Sequence, residues 1–181
     1  MEDKADILNG QPVNYAVCQA VATILRNQFK NKRIRLVGKT VTPVSKPTIQ
    51  LHVDFQFTHA FVTACDGKRV LMADSDLETV IDYTSNAYKQ IKESYEVILQ
   101  DPLNHIQFLK VNQQAEDDYS CVTYSAANLV ELLTPGGNPE CKYVNKLLRP
   151  HLIHCLENKK FTPFPKKRKR PSPRPPKPTK A

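Results

Sequence analysis

Residues 49 to 74 leave this chain few ways to fold. Ile49, Leu51, Val53, Phe55 and Phe57 alternate with Gln50, His52, Asp54 and Gln56, the period of a strand with one wet face. After Thr58-His59 both faces turn apolar through Ala60-Phe61-Val62-Thr63-Ala64, as a strand inside a sheet requires. Asp66-Gly67 follows, and Asp-Gly between two apolar runs is the strongest short hairpin signal, so Arg69 to Asp74 should return antiparallel. With Asp66 and Gly67 as the two turn residues, facing positions sum to 133, which sets His59 opposite Asp74 on one face. Side chains so placed have Cβ atoms about 5 Å apart, close enough for an imidazole to bond a carboxylate. That bond would fix the tautomer and leave the other ring nitrogen free as a base. The same pair could equally be a core histidine and a strand-end cap opening the turn Asp74-Ser75-Asp76.

A second pattern weighs against that plainer alternative. Asp117, Asp118 and Ser120 precede an apolar run, Cys121 to Leu133, which Thr134-Pro135-Gly136-Gly137 closes, giving a start and a stop for one helix. Cys121 falls in its first turn, where unpaired N–H groups and the helix dipole favour a thiolate. Taken alone, such a cysteine is more often a small core hydrophobe. Beside a histidine and an aspartate it becomes a candidate nucleophile. Gln113 and Gln114 lie just upstream, where an amide could join the Cys121 N–H in holding an oxyanion.

The remaining chain reads as scaffold. Pro12 suits a first helical position, and Val13, Ala16, Val17, Ala20, Val21, Ile24 and Leu25 recur at helical spacing. Ile34 to Val37 reads as a short strand. Leu77 to Ile81 and Asn86 to Leu99 read as helical, with Tyr88, Ile91, Tyr95 and Ile98 on one core stripe. His105 to Val111 reads as another strand. Tyr143 to Leu156 is helical, with a kink or restart at Pro150. His151, His154 and Cys155 share a face there, with Cys141 nearby, but the spacing matches no usual zinc site and no metal or other cofactor is expected.

With 181 residues and 40% hydrophobic content the chain suits one globular domain. Its five cysteines are odd in number and form no CxxC pair, which points to a reducing compartment. No apolar run reaches the roughly 20 residues of a membrane helix, so no membrane partner is expected. The net charge of +8 suggests nucleic acid until it is located: residues 165 to 181 hold eight Lys and Arg and no acid, so residues 1 to 164 sum to zero. Six prolines and repelling charges make that tail a disordered arm appended to a domain spanning 1–164. Lys166 to Arg170 reads as a nuclear-localisation patch for an import receptor, giving a nuclear and also cytoplasmic protein. Weak nucleic-acid contact by the arm is compatible with it.

The order of these parts resembles the Ulp-type cysteine peptidases, which process SUMO and related ubiquitin-like proteins and have relatives in the adenovirus protease and the YopJ-type acetyltransferases. Leu8-Asn9-Gly10-Gln11-Pro12-Val13-Asn14 is similar to the family's L-N-D-x-x-I-N helix start. Leu148-Arg149-Pro150-His151-Leu152-Ile153-His154-Cys155, with Phe161 and Phe164-Pro165, is similar to the M-R-x-H-L-x-x-C … F-P ending of the forms carried by animal transposable elements. The resemblance implies His59 as general base, Asp74 as its orienting partner, Cys121 as nucleophile and Gln113 or Gln114 as oxyanion donor. It implies a ubiquitin-like modifier as partner. The chain departs from the family at Ala60, where a tryptophan usually follows the histidine, and at Val122, where a glycine usually follows the cysteine. Gln114 lies one residue further from the cysteine than the family spacing. An inert, transposon-derived module that binds a modifier, or a YopJ-like acyltransferase, therefore stands beside the peptidase reading. Pattern and resemblance together predict an α+β, papain-like or adenain-like fold, a mixed sheet with the Cys121 helix against one face.

Overall fold

The computed structural model describes residues 2–9, 15–54, 59–76, 86–115 and 119–168. The helix start at Gly10 to Asn14, the helix at Leu77 to Ile81, the carboxylates Asp117 and Asp118 and the arm beyond Arg168 lie outside the described residues.

Five strands form one mixed sheet: β1 (Ile34–Val37), β2 (Thr48–Asp54), β3 (His59–Cys65), β4 (Val70–Ala73) and β5 (Ile106–Phe108). They lie side by side in chain order, the inner pairs antiparallel and the two outer pairs parallel. Even-numbered β3 residues Ala60 and Val62 face one core, shared with α2 (Tyr15–Gln28), α4 (Cys121–Leu133) and α5 (Asn145–Glu157). Odd-numbered Phe61 and Cys65 face a second core under α3 (Asn86–Tyr95), where Tyr88, Ile91 and Tyr95 form the expected stripe. Burial on both faces explains the continuous apolar run, at about 1.5–3 kcal/mol for each large side chain removed from water.

α3 corrects the wet face expected of β2. Gln50 and His52 are fully buried and Asp54 nearly so, because α3 covers the side that alternation assigns to solvent. His52 is tolerated there through a chain of bonds to Gln90, Thr63 and Tyr95, whereas the Gln50 amide has no partner among the described residues. Gln90 donates from Nε2 to the Gly38 and Val53 carbonyls, so its Oε1 accepts from His52 Nδ1 at 3.2 Å. His52 Nε2 must then accept from Thr63 Oγ1 at 2.7 Å, and Thr63 accepts from the Tyr95 hydroxyl at 2.6 Å.

The hairpin register also needs correction. Val62 faces Ala73 and Cys65 faces Val70, so partners sum to 135 rather than 133, and His59 is not directly opposite Asp74. The turn is four residues long because the Asp66 carboxylate accepts from the Lys68 and Arg69 amides at 2.8 and 2.9 Å, closing a wider loop in which Gly67 takes φ +90°. A two-residue slip preserves the face. His59 and Asp74 therefore stay on the same side of the sheet.

Elsewhere the differences are local. A further helix, α1 (Glu2–Leu8), packs against α5. β5 is shorter than the expected strand: it starts one residue later because Pro102 opens a 3-10 turn, Pro102–His105, and it ends at Phe108. α3 stops at Tyr95. α5 runs from Asn145 to Glu157 with Pro150 inside it, held by the burial of Leu148, Leu152, Ile153 and Cys155. Past α4, the Gly137 Cα sits so close to the Glu131 carbonyl that any Cβ would collide with it. Buried Glu131 accepts from the Asn138 amide at 2.8 Å and pairs with Lys166 Nζ at 2.7 Å. Pro165 and Lys167 bond the backbone at Val144 and Lys142. The body thus carries through to Lys167, into the span read as arm.

Candidate active site

Three elements deliver the three side chains. His59 is the first residue of β3, Asp74 follows the last residue of β4, and Cys121 opens α4, whose N-terminus meets that end of the sheet. His59 Nε2 lies 2.9 and 3.0 Å from the two Asp74 oxygens. That leaves Nδ1 free of Asp74, and the Cys121 sulfur interacts with the same imidazole. The Asp76 amide donates to Asp74 Oδ1 at 2.8 Å and fixes the carboxylate in turn. The structure thus brings together His59, Asp74 and Cys121, and all three are buried.

Electrostatics matches this geometry. Burial alone would push His59 down, but bonds from Asp74 and Cys121 and the charge of the carboxylate raise it to about 10. Burial pushes the Asp74 carboxyl up, opposed by the His59 bond and charge and by the Asp76 amide. The dominant direction is a protonated imidazole held beside a carboxylate. Cys18, on α2 in the same core, is pushed up to about 12 by burial and then by the neighbouring Cys121 charge, so it is the inert thiol of the two.

The two glutamines separate. Gln113 donates its amide to the Asp74 and Val111 carbonyls at 2.9 and 3.3 Å, so it braces the strand end. Gln114 has its oxygen anchored by Ser75 Oγ at 3.1 Å and its backbone N–H bonded to Ser75 O at 2.8 Å, and its side-chain NH2 has no partner among the described residues. Ser120 occupies the N-cap of α4 but makes no side-chain cap bond. Its hydroxyl accepts instead from Arg149 Nε at 3.0 Å, while Arg149 donates again to the Ile7 carbonyl at 2.8 Å. One guanidinium therefore ties α5 and α1 to the residue before the candidate nucleophile. No spacing signal marks Arg149 for that role. Asp54 is also unexpected here: it pairs with His59 across β2 and β3 and accepts from Asn86 at 3.1 Å. Its place in the β2 alternation would have found it, had that face been read as covered.

His151 and His154 are engaged locally, by Thr162 and by Asn158. Among the described residues no three His, Cys, Asp or Glu side chains are grouped to hold a metal ion, and no helix is long and apolar enough to cross a membrane.

No protein-family model matches the chain, and no curated protein does. Among solved structures, the chain is similar to the C-terminal Ulp1 protease domain crystallised in complex with Smt3, the yeast ortholog of SUMO. The TM-score is 0.60 at 12% identity, over 87% of this chain and 82% of that one. The chain thus has the papain-like α+β fold expected from its sequence.

Proposed function

We propose that the chain is a cysteine peptidase that cleaves after the C-terminal glycine of a ubiquitin-like modifier such as SUMO. The observation that carries this reading is the single imidazole held by the Asp74 carboxylate at 2.9 Å with the Cys121 sulfur interacting with the same ring. The reactive form is the His59 imidazolium beside a Cys121 thiolate, and the thiolate adds to the carbonyl carbon after the modifier's last glycine. The oxyanion accepts from the Cys121 N–H and the Gln114 amide. The imidazolium then protonates the leaving amine as the C–N bond breaks, and water, deprotonated by His59, releases the thioester. Asp74 keeps the ring in the tautomer this sequence needs. The choice of modifier rests on the likeness to a fold whose crystallised partner is Smt3. Lys166 to Arg170 would take the protein to the nucleus through an import receptor, although Lys166 is itself paired with Glu131.

A second reading has its own support. Ala60 and Val122 are both buried, and Cys121 itself is only 7% exposed, so the thiol sits deep and without the aromatic and glycine of the resembling family. A module that grips a modifier without cleaving it fits that packing. Incubation with C-terminal electrophile probes made from a panel of ubiquitin-like modifiers separates the two. Labelling that Cys121→Ala abolishes establishes the peptidase; modifier binding without labelling establishes the module and removes the peptidase.

A further inference from the structure

The neutral body is electrically polarised. Between Ile7 and Val53 the chain carries seven Lys and Arg and not one Asp or Glu. Six of the seven, Arg26, Lys30, Lys32, Arg33, Arg35 and Lys46, surround one cavity of about 420 Å³ where the end of α2 meets the starts of β1 and β2. All six are exposed and no carboxylate lines the cavity. Lys30, Lys32, Arg33 and Lys46 meet no acidic side chain among the described residues. Arg26 is held in place by its Nε bond to the Ile34 carbonyl at 2.9 Å, which leaves its terminal nitrogens for another acceptor. Like charges brought this close repel one another, and a fold carries such a cluster at a cost unless something neutralises it.

The surface extends past the cavity. Gln28 bonds the Phe161 backbone in both directions, at 2.7 and 2.8 Å, which brings exposed Lys159 and Lys160 to the same end of α2. Among the described residues the exposed large hydrophobic side chains, Leu8, Val97, Phe108, Tyr119 and Leu147, do not line this cavity. A protein partner needs an apolar or aromatic centre to bind against, and this surface has none. A phosphodiester backbone needs only spaced cations.

We propose that this cleft binds the phosphodiester backbone of a nucleic acid, independently of sequence and of the C-terminal arm. Lacking an aromatic platform, it meets phosphates rather than bases. β2 separates it from Asp54 and His59, roughly 20 Å away at about 3.3 Å per residue, so a bound strand does not cover the candidate active site. Phosphate binding here requires no activity from that site.

The test is fluorescence anisotropy of the full chain on labelled 20-nucleotide duplex DNA, single-stranded DNA and single-stranded RNA over a salt series. The variant Lys30→Gln/Lys32→Gln/Arg33→Gln/Lys46→Gln should lose at least tenfold in affinity, and its log–log salt slope should fall by about 0.9 for each phosphate no longer neutralised. All four side chains are exposed, so its thermal midpoint should match wild type, and Arg33→Gln alone should show a smaller loss in the same direction. A matched variant, Lys89→Gln/Lys92→Gln/Lys110→Gln/Lys142→Gln, removes equal charge elsewhere and should keep both affinity and slope. Neutralising Lys167 and Arg168 should subtract separately. Equal losses in the cleft and matched variants, complete loss on neutralising the arm alone, or displacement by polyglutamate of equal charge would each overturn the assignment. Preference among the three probes identifies which nucleic acid the cleft takes.

Discussion

His52 and His59 lie seven residues apart on neighbouring strands, on the same side of the sheet, and both are buried. His52 is pulled down to about 3, by burial first, with only the Gln90 bond opposing. His59 is raised to about 10 although burial opposes it too. What differs is the partner: an amide and a hydroxyl for one ring, a carboxylate and a thiol for the other. Burial decides that an imidazole must be satisfied; the charge of its neighbour decides whether it carries a proton.

The largest test of that contrast is catalytic. Against a modifier-derived electrophile, Cys121→Ala should abolish labelling and His59→Ala should slow it about 100-fold or more, the contribution of a positioned acid–base group. Asp74→Asn should slow it less, and His52→Gln should stay close to wild type in rate while lowering stability. If His52→Gln is as damaging to rate as His59→Ala, the two rings do not have separate jobs. Next in size is an exchange of partners. Gln90→Glu places a carboxylate 3.2 Å from His52 Nδ1 and should bring that ring's titration into the neutral range, while Asp74→Asn should lower that of His59. Both are read by NMR of the imidazole Cε1–H. An unmoved His52 would show that burial, not the partner, sets its charge.

The two rings should also give stability opposite slopes in pH. His52 has a depressed value, so below about 6.5 the unfolded chain takes a proton that the folded one refuses, and stability falls as pH drops toward 3. His59 has a raised value, so its contribution is complete below about 6.5 and is lost as pH rises through about 10. Each limb can reach about 1.4 kcal/mol per pH unit. Urea midpoints at pH 4.5, 6.5 and 9 should lose the acid limb in His52→Gln and the alkaline limb in His59→Gln. A smaller effect applies the same rule to a carboxylate. Lys166→Ala strands Glu131, which is 2% exposed, and should cost about 1–2 kcal/mol, moderated because the lysine is 39% exposed. Lys4→Ala breaks the exposed pair with Glu157 and should cost under about 1 kcal/mol. Equal midpoint shifts in the two variants would break the contrast.

The parts legible in the sequence were those set by period. Alternation along β2, the doubly apolar β3, the Asp-Gly turn and the helix opened by Cys121 each fix a local geometry, and together they place His59, Asp74 and Cys121 on elements that do meet. What did not show depended on residues distant in sequence. Nothing in Gln50, His52 and Asp54 says that α3 will cover them, and polar residues on a strand read as wet until the covering helix is known. The Asp66 side chain, not the Asp-Gly dipeptide, set the width of the turn, so the register was off by two while the face was right. Gln113 and Gln114 were indistinguishable until their bonds to the Asp74 and Ser75 carbonyls could be seen. Arg149 acts across 29 residues, through a hydroxyl expected to cap a helix.

The turn from Asp66 to Arg69 lies outside the forces that hold the His59–Asp74 pair. β3 and β4 each bury side chains in both cores, so a slip of one residue would turn every apolar side chain of one strand into the wrong core and is opposed along its whole length. A residue added between Gly67 and Lys68 lengthens the loop and leaves Val62 facing Ala73 and Cys65 facing Val70. A library of random insertions there, sorted for probe labelling, should return odd and even loop lengths alike; recovery of even lengths only would show that the turn, and not the two cores, sets the register.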